Sequence, residues 1–264
     1  MESEKSKIDF SKIDKVSNSS KSEDKPKKKE TYKSKEGFTK ANVVRGYTEI
    51  KKLLISIPEI MTDGMICGGY ARYMVSPHKN PVPADDLDIY CRNEDVFSSL
   101  KEKLNSVLKK KAENDISITY DKPDSDSEVF GAPKVQLIKP VKEGAIVAVG
   151  DRKTILENFD FTVVRCALLN PNEALVDADF EHDEKSRFLR IKNIHCPISS
   201  LLRCIKYIKK GYWAPPSQLV KLFVDWESRP DEYRTRILEL FRTSQLGNIS
   251  EDEINELEAL LRID

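Results

Sequence analysis

The sequence is poor in the residues that build metal clusters, disulfide frameworks and membrane spans. Its 264 residues include 3 histidines, too few and too dispersed for a zinc cluster, and 5 cysteines without a Cys-x-x-Cys pair. Its apolar runs fall short of the ~18 residues that a membrane-spanning helix needs, and its N-terminus is charged. We therefore expect no signal peptide and no membrane partner. The cysteines are predicted to be buried thiols of a cytoplasmic protein.

The chain also lacks a net charge. Lysine plus arginine (44) balances aspartate plus glutamate (44), so net charge indicates neither nucleic acid nor membrane as a partner, although a local basic patch still can. Hydrophobic residues make up 39% and charged residues 33%, which predicts one globular core with a solvated tail. Residues 1–36 are predicted to be this disordered tail. Its run KPKKKE is interpreted as solvated, with a nucleic-acid contact or a targeting signal as alternatives.

Apolar periodicity predicts strands alternating with helices from Gly37 onward, and helices alone toward the C-terminus. Strands are predicted over 65–69, 87–91, 115–121, 133–141, 159–169, 174–180 and 186–193. Helices are predicted over 41–57, 70–76, 94–112 and 151–159, from 196 on, and from a capping-box pattern at Ser250. This order predicts an α+β head over 37–195, a mixed β-sheet flanked by helices, followed by a small helical part over 196–264.

Two aspartates that follow a pair of glycines are the most informative feature of the chain. Asp86 and Asp88 lie two positions apart on a predicted strand, so both side chains point to the same face. Adjacent carboxylates repel each other unless a cation lies between them, and hard oxygen ligands of this kind suit Mg²⁺. Gly68 and Gly69 carry no Cβ, so a phosphate can approach their backbone closely. The stretch predicts chemistry on a phosphate with a bound metal.

The segment ICGGYARY, followed by DDLDIYC, resembles the signature of the DNA polymerase β-like nucleotidyltransferases. The Gly-Gly-x-x-Arg form, which ends at Arg72, is most similar to the branch of the tRNA CCA-adding enzymes and poly(A) polymerases, with related phage and bacterial proteins. The resemblance implies a nucleotidyltransferase-type sheet, an NTP substrate such as ATP, and two Mg²⁺ ions, with Mn²⁺ as a possible substitute. It also implies transfer of an NMP to an acceptor hydroxyl with release of pyrophosphate.

The resemblance assigns roles to residues of this chain. A third acid follows on a neighbouring strand in the family, and Asp160 in FDFTVVRC is its expected counterpart, with Asp177 or Asp179 in VDADF as the alternative. Asp86, Asp88 and Asp160 are thus the expected catalytic and metal-binding set. The expected nucleotide-binding residues are Gly68, Gly69, Arg72, Arg203 and Lys206.

The segment CPISSLLRCIKYIKKGY resembles the helix that follows the catalytic head in CCA-adding enzymes. Arg203, Lys206 and Lys210 lie at i, i+3 and i+7, forming a basic stripe opposite Leu202, Ile205 and Ile208. We interpret the stripe either as a contact with triphosphate or RNA, or as a solvated helix face. Tyr212 and Trp213 are either core or interface residues, or platforms on which a base stacks. Asp85 is assigned to the surface or a turn.

The sequence also departs from the CCA-adding pattern. Tyr73 stands where the family motif Gly-Gly-x-x-Arg-Asp has its aspartate, and the base-selecting motif of that family has no clear counterpart after residue 197. The function favoured by the sequence is therefore transfer of a single nucleotide, most naturally to an RNA 3′ end, with protein or small-molecule acceptors open. The alternatives are a non-catalytic relative that binds nucleotide or RNA, and a structural or assembly protein that retains the fold.

Overall fold

The described part of the chain is organised around one large mixed β-sheet. The structure is a computed structural model that describes residues 32–48, 50–121, 134–143 and 146–245. Among these residues, eight strands form the sheet in the order β1-β10-β9-β2-β3-β6-β5-β4, and β7 pairs with β8 in a separate hairpin. The strands are Phe38–Asn42 (β1), Gly64–Cys67 (β2), Asp86–Cys91 (β3), Lys109–Glu113 (β4), Ser117–Asp121 (β5), Lys134–Ile138 (β6), Lys142–Glu143 (β7), Ile146–Val147 (β8), Cys166–Asn170 (β9) and Glu173–Asp177 (β10).

Helices flank the sheet and complete the described chain. They are Lys51–Ser56 (α1), Glu59–Thr62 (α2), Gly68–Val75 (α3), Glu94–Val107 (α4), Arg152–Glu157 (α5), Phe180–Ser186 (α6), Pro197–Lys209 (α7), Pro216–Ser228 (α8) and Asp231–Gln245 (α9). The predicted α+β class, with a mixed sheet flanked by helices and followed by further helices, is confirmed. Described residues from Lys35 onward belong to one compact unit. The division into a tail, a head and a helical part stays a prediction.

The central strands β2 and β3 are buried on both faces. Their apolar side chains alternate between two core clusters, with Leu87 and Ile89 of β3 in one and Tyr90 in the other. β3 is antiparallel to β2 and parallel to β6, so its N-terminal end lies beside the point where β2 passes into α3. This placement brings the start of β3 next to the two glycines that open α3.

Four stretches differ from the sequence-based prediction. The predicted helix over 41–57 begins with the last two residues of β1, which pairs with β10, and continues as a loop and the short α1. The lysine-rich end of the predicted helix 94–112 is β4, which pairs with β5. The predicted strand over 186–193 forms only single bridges, and the residues before it form α6.

The fourth difference concerns Asp160. The predicted strand over 159–169 begins only at Cys166, and Thr162–Val164 forms a turn of 3₁₀ helix before it. Phe161 makes an isolated bridge with Ile191 instead of joining the sheet. The expectation that Asp160 lies on a strand is therefore wrong; it lies in the segment between α5 and the 3₁₀ turn.

The remaining sequence-based expectations have mixed outcomes. All five cysteines are free and buried, so the prediction of buried thiols is confirmed. Burial raises the pKa of the Cys91 thiol to about 12, which keeps it protonated at neutral pH. Among the helices that the structure describes, none is long and apolar enough to cross a membrane. The predicted helix that opens at Ser250 and most of the predicted tail lie outside the described residues.

Candidate active site

A polar pocket lies where α3, the start of β3 and α7 meet. Asp86 and Asp88 line it, together with Gly69, Arg72 and Lys206, so five of the eight sequence-predicted site residues share one pocket. The other lining residues are Pro83, Ala84, Asp85, Val164, Tyr207 and Lys210. Gly68, Asp160 and Arg203 are not among the residues that line it.

The two aspartates reach the pocket from the same face of β3. Asp86 is partly exposed, whereas Asp88 is buried and lies opposite Cys67, the last residue of β2. Leu87 and Ile89, which alternate with them, are fully buried in the core. The strand is therefore anchored by its apolar face while its polar face presents two carboxylates side by side. The sequence-based prediction of their shared face is confirmed.

Gly68 and Gly69 have different roles at the start of α3. Gly68 adopts a φ of +73°, and a Cβ there would lie 3.4 Å from Phe159 and 3.6 Å from the Oδ2 atom of Asp88. A Cβ on Gly69 would meet no described atom within 4 Å. Gly68 thus makes the turn that places α3 beside Asp88, and Gly69 leaves open space on the pocket wall.

This difference predicts opposite results for two matched variants. Gly68→Ala is expected to lower the free energy of unfolding by about 1–2 kcal/mol, because an L side chain is strained at positive φ. Gly69→Ala is expected to leave stability unchanged or raise it by about 0.5 kcal/mol. If a phosphate approaches Gly69, however, its added methyl group will weaken NTP binding. Urea unfolding and NTP titration of both variants measure the two effects, and a stable Gly68→Ala variant would contradict the assignment of the turn.

Arg72 is buried at the back of the pocket and holds several elements together. Its guanidinium donates to the carbonyl oxygen of Val82 at 2.7 Å and to the hydroxyl of Tyr212 at 3.1 Å. It also lies 3.5 Å from the carboxylate of Glu184, and both charged side chains are only 1% exposed. The hydroxyl of Tyr212 donates to the same carboxylate at 2.6 Å. The structure thus gives Arg72 a structural position, whereas its predicted contact with phosphate stays a prediction.

Two lysines, one on α7 and one directly after its C-terminus, also line the pocket. The Nζ atoms of Lys206 and Lys210 lie 3.1 and 2.6 Å from the Oδ2 atom of Asp85. Burial opposes ionisation of Asp85, but the hydrogen bonds from Lys210 and Lys206 outweigh it and lower the pKa of this carboxyl. Asp85 is therefore ionised at neutral pH, and its single charge is shared by two ammonium groups.

The basic stripe of α7 begins in the interior at Arg203 and reaches solvent at Lys206, which is 48% exposed, and the apolar stripe of the helix faces outward. Arg203 is buried, whereas Leu202, Ile205 and Ile208 are between 39% and 44% exposed. Arg203 makes a buried ion pair with Asp160, and Lys206 makes a half-exposed one with Asp85. Neither sequence-based interpretation, a solvated face or a ligand contact, includes these partners.

Asp160 is buried and paired with Arg203. The Nε atom of Arg203 donates to the Oδ2 atom of Asp160 at 2.8 Å, and the backbone carbonyl of Asp160 accepts from the amide of Lys192. The side chain of Asp160 is 2% exposed. Its predicted role as the third carboxylate stays a prediction, and the structure adds that Arg203 competes with any metal for it.

The alternative third acids belong to a different cluster. Asp177 accepts from Arg165 at 2.8 Å, and Asp179 accepts from Lys192 at 2.9 Å and from the backbone amide of Lys35. Both are buried, and neither lines the pocket. These contacts join the end of β10 to Arg165, Lys192 and Lys35, so the Asp-x-Asp pair of VDADF has a structural role.

The sequence did not reveal some contacts of the pocket residues, nor the buried residue Glu184, which pairs with Arg72. Lys210 belongs to the recognised stripe, but the pairing of both lysines with Asp85 has no local sequence signal because the partners lie far apart in the chain. Glu184 is fully buried and accepts from Ser76 at 2.6 Å, and no pattern in FEHDEKS distinguishes it from a solvated acid. Tyr212 is a core residue, the first of its two interpretations, whereas Trp213 is 58% exposed.

Two side chains of the pocket, both carboxylates, are of the kind that binds a hard divalent cation. Asp86 and Asp88 line the pocket and offer carboxylate oxygens, the ligands that Mg²⁺ prefers. Within the described ranges, however, no group of three His, Cys, Asp or Glu side chains is arranged to hold a metal ion. Two carboxylates with substrate oxygens therefore form the set that the geometry supports.

Comparison with solved structures finds similarity to CCA-adding enzymes. The Thermotoga maritima CCA-adding enzyme complexed with tRNA is 15% identical over 75% of this chain and 50% of its own, with a TM-score of 0.45. The Bacillus stearothermophilus CCA-adding enzyme in complex with CTP is 15% identical over 68% of this chain and 44% of its own, with a TM-score of 0.44. A tRNA-processing enzyme in its apo form is 14% identical over 84% of this chain and 59% of its own, with a TM-score of 0.48.

Comparison by sequence finds no family model and no curated protein that matches the chain. The chain spans about half the length of the two CCA-adding enzymes to which its structure is similar.

Proposed function

We propose that the protein is a metal-dependent nucleotidyltransferase that moves an NMP from an NTP to an acceptor hydroxyl. The observation that carries the proposal is one pocket that holds paired carboxylates, a glycine with open space beside it, and cationic side chains. Carboxylates alone suit a metal, and cations alone suit a phosphate. Their presence in one pocket suits a metal–triphosphate complex, which needs both.

Each wall of the pocket supplies a separate part of this chemistry. Asp86 and Asp88 would hold Mg²⁺, which when bound neutralises the triphosphate charge and favours departure of pyrophosphate. The open space beside Gly69, near the N-terminus of α3, would let a phosphate approach the backbone. Lys206 and Lys210, which line the same pocket, would provide positive charge for the phosphates. Core packing of β3 fixes the two aspartates before substrate arrives, so little reorganisation is needed.

The acceptor we propose is an RNA 3′ end. The Gly-Gly-x-x-Arg resemblance and the lysines on α7 support this choice, because cationic side chains next to a nucleotide site also suit an RNA backbone. A protein or small-molecule hydroxyl would require the same Asp86 and Asp88 set. Sensitivity of the transferred label to ribonuclease or protease therefore distinguishes the acceptors.

The proposal is tested by label transfer. The full chain is incubated with Mg²⁺, total RNA and each α-labelled NTP in turn, and the products are separated after treatment with ribonuclease or protease. Ribonuclease-sensitive label with at least one NTP is the expected result. Protease-sensitive label would support the proposed nucleotidyltransferase activity but contradict the proposal that RNA is the acceptor. If the protein is folded and no fraction carries label, the proposed nucleotidyltransferase activity is contradicted, and the alternative of a non-catalytic nucleotide-binding protein is favoured.

The ion pair between Asp160 and Arg203 gives a further prediction about the third carboxylate. Asp160→Asn and Arg203→Met are each expected to lower the free energy of unfolding by about 3 kcal/mol, because each leaves a buried partner uncompensated. The double variant should lose less than the sum of the two, with a coupling of about 1–3 kcal/mol in urea unfolding. Additive losses would contradict the pair. If Asp160 is also a metal ligand, Asp160→Asn will in addition raise the Mg²⁺ concentration required for label transfer.

A further inference from the structure

Asp85 pairs with the two lysines that line the candidate active site. It lines the pocket together with Lys206 and Lys210, and its Oδ2 atom contacts both ammonium groups, at 3.1 and 2.6 Å. Asp85 directly precedes Asp86, so this anion lies at the start of the strand that carries the two proposed metal ligands. The lysines are thus engaged by a carboxylate of the protein at the place where the proposed function needs them for a triphosphate.

The contact is weak enough to be exchanged. Asp85 is 45% exposed, Lys206 48% and Lys210 22%, and ion pairs that remain in contact with solvent contribute little stability. Asp85 offers the two lysines a single carboxylate, whereas a triphosphate brings several negative charges and more acceptor oxygens. Exchange of Asp85 for a triphosphate is therefore electrostatically favourable, and exchange for a weakly charged anion is less so.

We propose that Asp85 is a built-in competitor for the triphosphate, which must displace it from Lys206 and Lys210 to bind. The inference rests on the proposed function for the identity of the ligand class. Its consequence is that removal of the Asp85 charge strengthens binding, whereas a carboxylate that only positioned the lysines would weaken binding on removal. Removal of a carboxylate that bound the metal would also weaken binding. The sign of the effect therefore separates these roles.

The test is calorimetric titration with inorganic tripolyphosphate in excess Mg²⁺, without acceptor or turnover. Asp85→Asn is expected to bind about fivefold more tightly than the unaltered chain, because two exposed ion pairs no longer compete. Asp85→Glu keeps the competing carboxylate and is expected to bind like the unaltered chain. In Asp85→Asn/Lys210→Met the gain should disappear. Equal or weaker binding by Asp85→Asn, with an unchanged unfolding midpoint, would overturn the proposal.

The titration distinguishes failure of this inference from failure of the proposed function. Tighter binding by Asp85→Asn supports the competitor role even if no NMP transfer occurs, in which case the pocket belongs to a nucleotide-binding protein. NMP transfer by the unaltered chain together with weaker binding by Asp85→Asn would overturn the competitor role and leave the enzyme standing. Since Asp85 is half exposed, the asparagine variant is expected to fold, and circular dichroism checks this.

Discussion

Replacement of Asp88 by asparagine is expected to lower the rate of NMP transfer by about 10²–10³-fold while the protein remains folded. The asparagine side chain has nearly the same volume and keeps one acceptor oxygen, but it removes the negative charge that would hold the metal. Asp88 is buried on β3 beside the glycine turn, so its charge is placed in the pocket by the core and not by a mobile loop.

The matched control is Asp63→Asn. Asp63 is an aspartate directly before β2, about half exposed, and it pairs with Arg92 instead of lining the candidate active site. Its replacement should change the transfer rate by less than about twofold, since exposed ion pairs contribute little. A full rate in Asp88→Asn would contradict the proposed metal site. An equal loss in both variants would show that the effect is not specific to the pocket.

Arg72→Ala is expected to lower the free energy of unfolding by about 3–5 kcal/mol, the largest stability effect we expect from a single side chain. The truncation would leave the buried carboxylate of Glu184 without its cation and would remove the hydrogen bonds to Val82 and Tyr212. Urea unfolding, followed by circular dichroism, measures the change. Arg92→Ala, which breaks the exposed pair with Asp63, should cost about 1 kcal/mol or less.

The two roles of Arg72 differ in what its replacement changes. A structural role predicts a large loss of stability, and Glu184→Gln/Arg72→Met should recover part of it because the uncompensated charge is then absent. A contact with phosphate predicts near-normal stability and a raised KM for NTP. Near-normal stability of Arg72→Ala would therefore contradict the structural account and restore the sequence-based interpretation.

The parts of the site that the sequence predicts correctly depend on local geometry. The two-residue period of a strand places Asp86 and Asp88 on one face whatever the rest of the chain does. The paired glycines follow a short apolar strand and begin α3, which is a local strand–helix pattern as well. For these features the neighbouring residues carry sufficient information.

The parts that the sequence mispredicts depend on distant partners. Phe38–Asn42 is a strand because the edge of β10 pairs with it, although its own pattern shows no clear alternation. The exposed run Lys109–Glu113 is a strand for the same reason, since β5 pairs with it. Side-chain periodicity contains no information about such an edge, so it predicts a helix over residues 41–42 of the first stretch and 109–112 of the second.

The orientation of α7 shows the same dependence on charge partners. Apolar periodicity alone favours burial of Ile205 and Ile208, but Arg203 is the buried residue because Asp160 lies opposite it. A pair of this kind joins residues from separate elements, and a single sequence contains no signal for it. The basic stripe was visible in the sequence, whereas the burial of Arg203 required the fold.

The most direct test of the central claim compares α-labelled and γ-labelled NTP with the unaltered chain, Mg²⁺ and total RNA. The account predicts that α-label enters the acceptor while γ-label leaves as pyrophosphate, and that Asp88→Asn loses the transfer of α-label. Entry of γ-label into the acceptor would instead indicate a phosphotransferase. That result, or the absence of any transfer by the folded protein, would contradict the claim that this pocket performs nucleotidyl transfer.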